Sequence, residues 1–198
     1  MTTETVDRTH PGSTMVSPSK LAHFVVRTSR YAEMLAWYKY VLNAKPAFEN
    51  ESLAFLSYDD EHHRVAILNV PQLGEQPEGI AGIHHVAFTY DNFIDLLENY
   101  ERLAERGIKP IYSINHGPTT SLYYVDPDQN QLEFQVENFA TSEESGMFFF
   151  SPAFAENPIG VEIDPADLLV RLRAGESAEE LKRRADVGSR DLSDVKLR

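Results

Sequence analysis

The sequence predicts an α+β protein: two βαβββ modules in tandem, followed by a helical C-terminal tail. Three observations carry this. Twice along the chain, apolar spacing switches from the alternation of a strand to the three-and-four spacing of a helix and back. The order strand, helix, strand, strand, strand is read over about residues 19–72 and again over about 80–138, an internal duplication with a period of roughly 60 residues. The 198 residues, 42% apolar, supply one good core or two small ones built as a pair.

Residues 1–18 mix Thr, Ser, Pro and Gly without apolar period and are expected to be a disordered segment. A short strand is expected over 21–26. The helix after it carries Tyr31, Met34, Leu35, Tyr38, Val41 and Leu42 on one face, with Ser29 as its cap. PAFEN, LAFLSY and HRVAILNV read as three strands, the last two separated by the polar turn DDEH. The linker PQLGEQPEGIAG closes the first module, and IHHVAFTY opens the second with a strand. Its helix places Phe93, Leu96, Leu97, Tyr100, Leu103 and Ala104 on one face, capped by Asp91 and stopped at Gly107. IKPIYSINH, TSLYYV and, past the turn DPDQN, QLEFQVE complete it. The extension over 139–198 holds two short helices. DPADLLVRLRAG has Asp164 as cap, Pro165 at the first position and Gly175 past the end, and SAEELKRRA opens with Ser177 and Glu180 as a capping box. The aromatic run MFFFSPAF is expected to pack over its own module, to cover the mouth of a site or to lie between subunits. Residues after about 187 are expected to be disordered.

Composition removes several function classes. No cysteine is present, so thiolate chemistry is excluded and any metal must be held by His, Asp or Glu. A net charge of −13 argues against a nucleic-acid partner, which requires a basic stripe to displace counterions. The apolar runs are too short for a membrane span, and the first residues lack the charged-then-apolar layout of a secretory signal. A cytoplasmic protein with no membrane partner is expected.

The stretch GIHHVAF sets two histidines at the head of an apolar strand. Placing LAHFVV over IHHVAF with Leu21 above Ile83 puts His23 above His85 and Ala22 above His84, so one imidazole recurs across the duplication and the other does not. A residue at the same point of two duplicated strands lies near the axis relating the halves, where a shared site can form. In QLEFQVE, Leu132, Phe134 and Val136 alternate with Glu133, Gln135 and Glu137; with helices over the apolar face, Glu133 points into the concavity. Taken singly, each residue has an ordinary reading, a satisfied histidine or a solvent-facing glutamate. Two imidazoles and one carboxylate from three strands are together the donor set of a divalent iron, manganese or zinc site with open positions.

These residues resemble the vicinal oxygen chelate superfamily, whose members pair two βαβββ modules into a cupped mixed sheet around a metal. The resemblance covers about residues 19–138. Within that superfamily the chain is similar to the single-domain extradiol ring-cleaving dioxygenases, the group of the biphenyl-2,3-diol and catechol 2,3-dioxygenases. There an HF strand opens one module and an HH strand the next, the second histidine of the pair binding iron; His23 and His85 fit those places. The group's C-terminal signature reads here as His116, GPTTS, Leu122, Tyr123, YV, Asp126, Pro127, DQNQL, Glu133. One departure is Gln129, where the group usually has Gly or Pro. HHRVAIL matches a further strand, in which the second histidine, here His63, is the group's acid/base.

The resemblance implies an extradiol dioxygenase of aromatic catabolism, using Fe(II), with Mn(II) as the alternative, and O2 as co-substrate. His23, His85 and Glu133 would be the ligands. Such a triad leaves three positions free, two for the adjacent oxygens of a small aromatic diol and one for dioxygen. His63 would move protons, while His116 and Tyr123 would hydrogen-bond the substrate oxygens. His84 is expected to turn away from His85 and to play a supporting part. The ring would open beside the two hydroxyls, and self-association is expected. Two other readings exist within the superfamily. A glyoxalase-like lyase or isomerase needs a fourth protein ligand from the last strand of the first module, where this chain offers only Arg64, Val65 or Ala66. A metal-free, drug-sequestering module has no need for these histidines and Glu133 together.

Overall fold

The computed structural model describes residues 16–77, 79–191 and 193. Most of the expected N-terminal disordered segment, residues 1–15, lies outside the described residues, as do 192 and 194–198 of the final stretch. The described part of that stretch is tied down: Arg190 donates through its backbone to Glu156 and through its guanidinium, at 2.9 Å, to the Gly160 carbonyl.

The first module runs β1 (Phe24–Thr28), α1 (Tyr31–Val41), β2 (Lys45–Glu49), β3 (Leu53–Ser57) and β4 (Val65–Asn69). The second repeats it with β5 (His85–Thr89), α2 (Phe93–Ala104), β6 (Tyr112–Asn115), β7 (Thr119–Val125) and β8 (Gln131–Glu137). Each module forms its own mixed sheet, in the orders β1-β4-β3-β2 and β5-β8-β7-β6. In both, the opening strand pairs in parallel with the closing one, Phe24 beside Val65 and Val86 beside Leu132. The duplication read from the sequence is therefore a duplication of topology and register. The two sheets approach each other at β1 and β5, where the rings of Phe24 and Phe88 lie 6.0 Å apart.

One core serves both modules. Met34, Leu35, Tyr38 and Val41 of α1 and Phe93, Leu96, Leu97 and Leu103 of α2 pack over one face of the strands, against Leu56, Ile67, Leu122 and Phe134 among others. Polar contacts lock the pairing: the Tyr38 hydroxyl donates to Asp126 at 3.0 Å, and Arg102 of α2 donates to the Tyr40 and Val41 carbonyls that end α1. These carbonyls lie in the last turn of α1, where helix carbonyls run short of intrahelical donors and a cation is favourable, and the neighbouring module supplies it.

The extension adds α3 (Ser142–Phe148), α4 (Pro152–Glu156), β9 (Val161–Glu162), α5 (Pro165–Arg173) and α6 (Ala178–Leu181). Strand β9 joins the second sheet beside β6, and Leu168, Leu169 and Leu181 enter the common core.

Helix starts depart from the sequence reading by a residue. The N-cap of α1 is Arg30 without a side-chain cap, so Ser29 does not serve, and that of α2 is Asn92, whose side chain accepts from Asp95, one position beyond the expected Asp91. Asn and Asp are equivalent caps, and the extended backbone at Asn92 decides between them. Asp164 and Ser177 cap α5 and α6 as expected. Glu180, however, meets the Ser177 hydroxyl rather than completing a box, whereas Thr141 and Glu144 form a full box at α3.

Candidate active site

Strand register builds the second module's half of the site. Glu133 of β8 lies between Ala87 of β5 and Tyr123 of β7. Alternation sends Leu132, Phe134 and Val136 into the helix-covered core and leaves Glu133 on the other face, beside Ser121 and Tyr123. There Glu133 is only 6% exposed, and its Oε2 is 2.9 Å from Nε2 of His85. Burial alone would raise the carboxyl, but hydrogen bonds from His85, Ser121 and Tyr123 outweigh it and hold Glu133 below the ordinary glutamate value. Glu133 is thus an anion at neutral pH.

The turn before β8 is formed with Gln129 in it. That residue takes a left-handed conformation, φ 71°, which favours glycine. The Asp126 carboxylate supports the turn, accepting from the backbone of Asp128 and Asn130 and from the Asn130 side chain at 2.8–2.9 Å.

Tyr123 stacks on Tyr112, with centroids 4.3 Å apart, and its hydroxyl is 3.0 Å from Nε2 of His116. Burial, then the negative charge of Glu133, pushes the phenol far above its usual range, so it stays protonated. His116 follows β6; burial lowers its pKa and favours the neutral ring. His84 does not turn away from His85, because β5 begins only at His85 and strand alternation does not reach His84. Its Nδ1 lies 2.7 Å from Nδ1 of His85.

The first module contributes a second cluster. His23 immediately precedes β1 and is exposed; its ring lies 4.2 Å from that of His63, which precedes β4. His63 also touches Phe55, at 4.7 Å, and His62. Burial first, and then the nearby His23 and His62, lowers the pKa of His63. The structure therefore brings together His85, Glu133, Tyr123 and His116 in one half and His23 with His63 in the other. Among the described residues, no three His, Asp or Glu side chains meet as a group that could hold a metal ion. The donors themselves, an anionic buried carboxylate and imidazoles without sulfur, suit iron(II) or manganese(II).

Ser121 and Tyr112 were missed by sequence reasoning. Ser121 was within reach of it, two residues before Tyr123 on the same strand face; Tyr112 becomes visible only through its pairing with Tyr123 across β6 and β7. Register also resolves the place left open in the first module. Val25 pairs with Ala66 as Ala87 pairs with Glu133, so the counterpart of Glu133 is Ala66. A cavity of about 540 Å³ lies elsewhere, lined by Leu42, Tyr58, Phe88, Tyr90 and Asn99 among others, and contains none of these groups.

A family model described as the Glyoxalase/Bleomycin resistance protein/Dioxygenase superfamily matches residues 20–134. Biphenyl-2,3-diol 1,2-dioxygenase 2 of Rhodococcus globerulus is 45% identical over 162 residues, covering 81% of this chain and 85% of that protein. Biphenyl-2,3-diol 1,2-dioxygenase 3 of the same organism is 40% identical over 173 residues, covering 86% and 91%. Among solved structures, a glyoxylase/bleomycin resistance protein/dioxygenase domain from Frankia sp. EAN1pec aligns with TM-score 0.51 and 20% identity, over 61% of this chain and 99% of that one. At such identity the likeness speaks for the fold.

Proposed function

Because the chain belongs to the Glyoxalase/Bleomycin resistance protein/Dioxygenase superfamily, we propose that it is an extradiol dioxygenase that opens the ring of a biphenyl-2,3-diol or similar catechol with O2. The observation that carries this reading is the anionic Glu133, buried beside His85 and facing the Tyr123–His116 pair, in a chain 45% identical to a biphenyl-2,3-diol 1,2-dioxygenase.

In this proposal His23, His85 and Glu133 hold iron(II), with manganese(II) as the alternative. When bound, the metal would bring both diol oxygens and O2 to one centre and let electron density pass between them. The protein's own groups do the rest. His63, whose lowered pKa leaves it a free base at neutral pH, accepts a proton from a diol hydroxyl and returns it to the opening ring. Tyr123 stays protonated and serves as a hydrogen-bond donor, its hydroxyl turning from Glu133 and His116 to a substrate oxygen when substrate is present; Tyr112, stacked on it, fixes its orientation. His116 holds Tyr123 in place through Nε2. Buried Glu133 supplies one negative charge and no more, and the apolar layer beneath it keeps bulk water away.

The lyase reading loses its fourth ligand, since Ala66 has no donor atom. Self-association belongs to the same proposal, supported by exposed Met147, Phe149 and Phe150 on the extension, and so does a cytoplasmic location. No helix among the described residues is long and apolar enough to cross a membrane.

The test is oxygen uptake by the anaerobically iron-loaded protein with biphenyl-2,3-diol. A yellow ring-opened product should form with about one O2 consumed per diol, since both oxygen atoms enter the product. Uptake no faster than that of the metal-free protein, across a panel of catechols, would refute the reading.

A further inference from the structure

We propose that the C-terminal extension is a working part of the active site: the Ile159 carbonyl fixes His116 as the Nδ1–H tautomer, so that Nε2 is presented as a proton acceptor toward Tyr123 and the substrate. The catalytic half of this inference rests on the dioxygenase reading; the tautomer does not.

Nδ1 of His116 lies 2.5 Å from the carbonyl oxygen of Ile159, 43 residues further along the chain. A carbonyl only accepts, so the proton of this bond resides on Nδ1. A neutral ring with Nδ1–H has its lone pair on Nε2, and the group 3.0 Å from Nε2 is the Tyr123 hydroxyl. Tyr123 has one proton and three acceptors within reach: this nitrogen, the Glu133 carboxylate and the Tyr112 hydroxyl. In the opposite tautomer, Nε2–H would point at Tyr123 and leave the phenol to donate to Glu133 or Tyr112 instead. The choice of tautomer thus sets where the Tyr123 proton goes.

The carbonyl is delivered by a built turn. The Asn157 side chain, 3% exposed, accepts from the backbone of Ile159 at 3.1 Å and Gly160 at 2.7 Å and donates to the Gly160 carbonyl. Gly160 has φ +114°, and a Cβ there would sit 2.4 Å from the Asn115 carbonyl oxygen, so only glycine lets the turn come this close to the end of β6. Arg184 closes the arrangement from further along the extension, donating to the carbonyls of His116, Asn157 and Ala153 at 2.7–3.2 Å. Ile159 packs with Ile114 and Tyr123, so the positioning carbonyl and the phenol share one small apolar cluster. The family match ends at residue 134, and all of these clamping groups lie beyond it. Asn157 and Arg184 are positioning residues; they act through His116 and need not touch substrate.

Long-range 1H–15N NMR of the full-length chain, with the His116 signals identified by their loss in His116→Gln, reads the tautomer directly. The expected result is a protonated Nδ1 and an unprotonated Nε2. Asn157→Ala should mix the tautomers and lower kcat by about 10- to 100-fold with little change in KM, the range typical of lost orienting partners. Asn157→Asp, which keeps the acceptor for the turn, should restore both. Arg184→Gln, which loosens the clamp without cutting into the buried turn, should shift the tautomer in the same direction as Asn157→Ala. A wild-type His116 protonated at Nε2 would overturn the inference. So would folded Asn157→Ala and Arg184→Gln variants that keep the wild-type tautomer. Absence of ring cleavage by the wild-type protein would instead overturn the dioxygenase reading, and the catalytic half with it, while the NMR result still decides the tautomer.

Discussion

Glu133 is an anion held out of water by donors from His85, Ser121 and Tyr123, an arrangement unfavourable for a surface glutamate and suited to a ligand. His63 differs from it in kind: its ring sits against Phe55 and His23, and its lowered pKa makes it a proton acceptor rather than a charge. His63→Ala should therefore leave metal content unchanged while slowing turnover by about 10²- to 10⁴-fold, the usual contribution of a positioned acid/base. Metal analysis beside steady-state rates checks this, and undiminished turnover would remove His63 from the reaction. The face that Glu133 takes was legible from strand alternation, because a period of two assigns faces without reference to other strands. His63 was not; two histidines beside a polar turn read as exposed, and only the resemblance singled one out. His84 was misread because alternation was extended one residue beyond the strand.

Helices and turns were legible in kind and imprecise at their ends. The apolar faces of α1 and α2 were read correctly at Met34, Leu35, Tyr38 and Val41 and at Phe93, Leu96, Leu97 and Leu103, since periodicity over three turns averages out single errors. Caps rest on one residue's backbone angles, which the sequence does not specify. Asn92→Ala should destabilise the fold by about 1 kcal/mol, the ordinary value of a lost N-cap, whereas Asp91→Ala should change stability by less than about 0.5 kcal/mol. Urea denaturation of the two variants separates them, and equal midpoints would contradict the cap assignment. The turn at Gln129 shows the same principle from the other side. An unexpected residue there leaves the turn standing, because Asp126 and Asn130 supply hydrogen bonds that a local reading of the signature does not weigh.

The duplication was the most legible feature of the molecule and the joining of its halves the least, because long-range contacts such as Tyr38 with Asp126 leave no local signal. The shared core has a consequence at high pH. Burial, with the Asp126 charge, raises the Tyr38 phenol well above its usual value; burial raises Tyr90 to about 12 and Tyr124 higher still. The folded chain thus keeps protons that the unfolded chain releases near pH 10, so its stability is fully present below pH 10 and falls as pH rises through the folded-state values. Stability, read from the urea midpoint, should drop as pH rises above about 10, by about 1.4 kcal/mol per pH unit for each phenol that stays protonated, while the tyrosinate absorbance of the folded protein lags behind that of the unfolded. A constant midpoint would contradict it. The extension, with Leu168, Leu169 and Leu181 in that core, could not be placed from sequence because its apolar residues are few and its target surface belongs to the other modules. In the proposed function both modules hold one metal, although His23 rests against His63 and His85 against Glu133. Iron content of anaerobically loaded wild-type protein and His23→Ala decides the matter: about one iron per chain is expected in the first and a large loss in the second. Full iron and full ring cleavage in His23→Ala would contradict it.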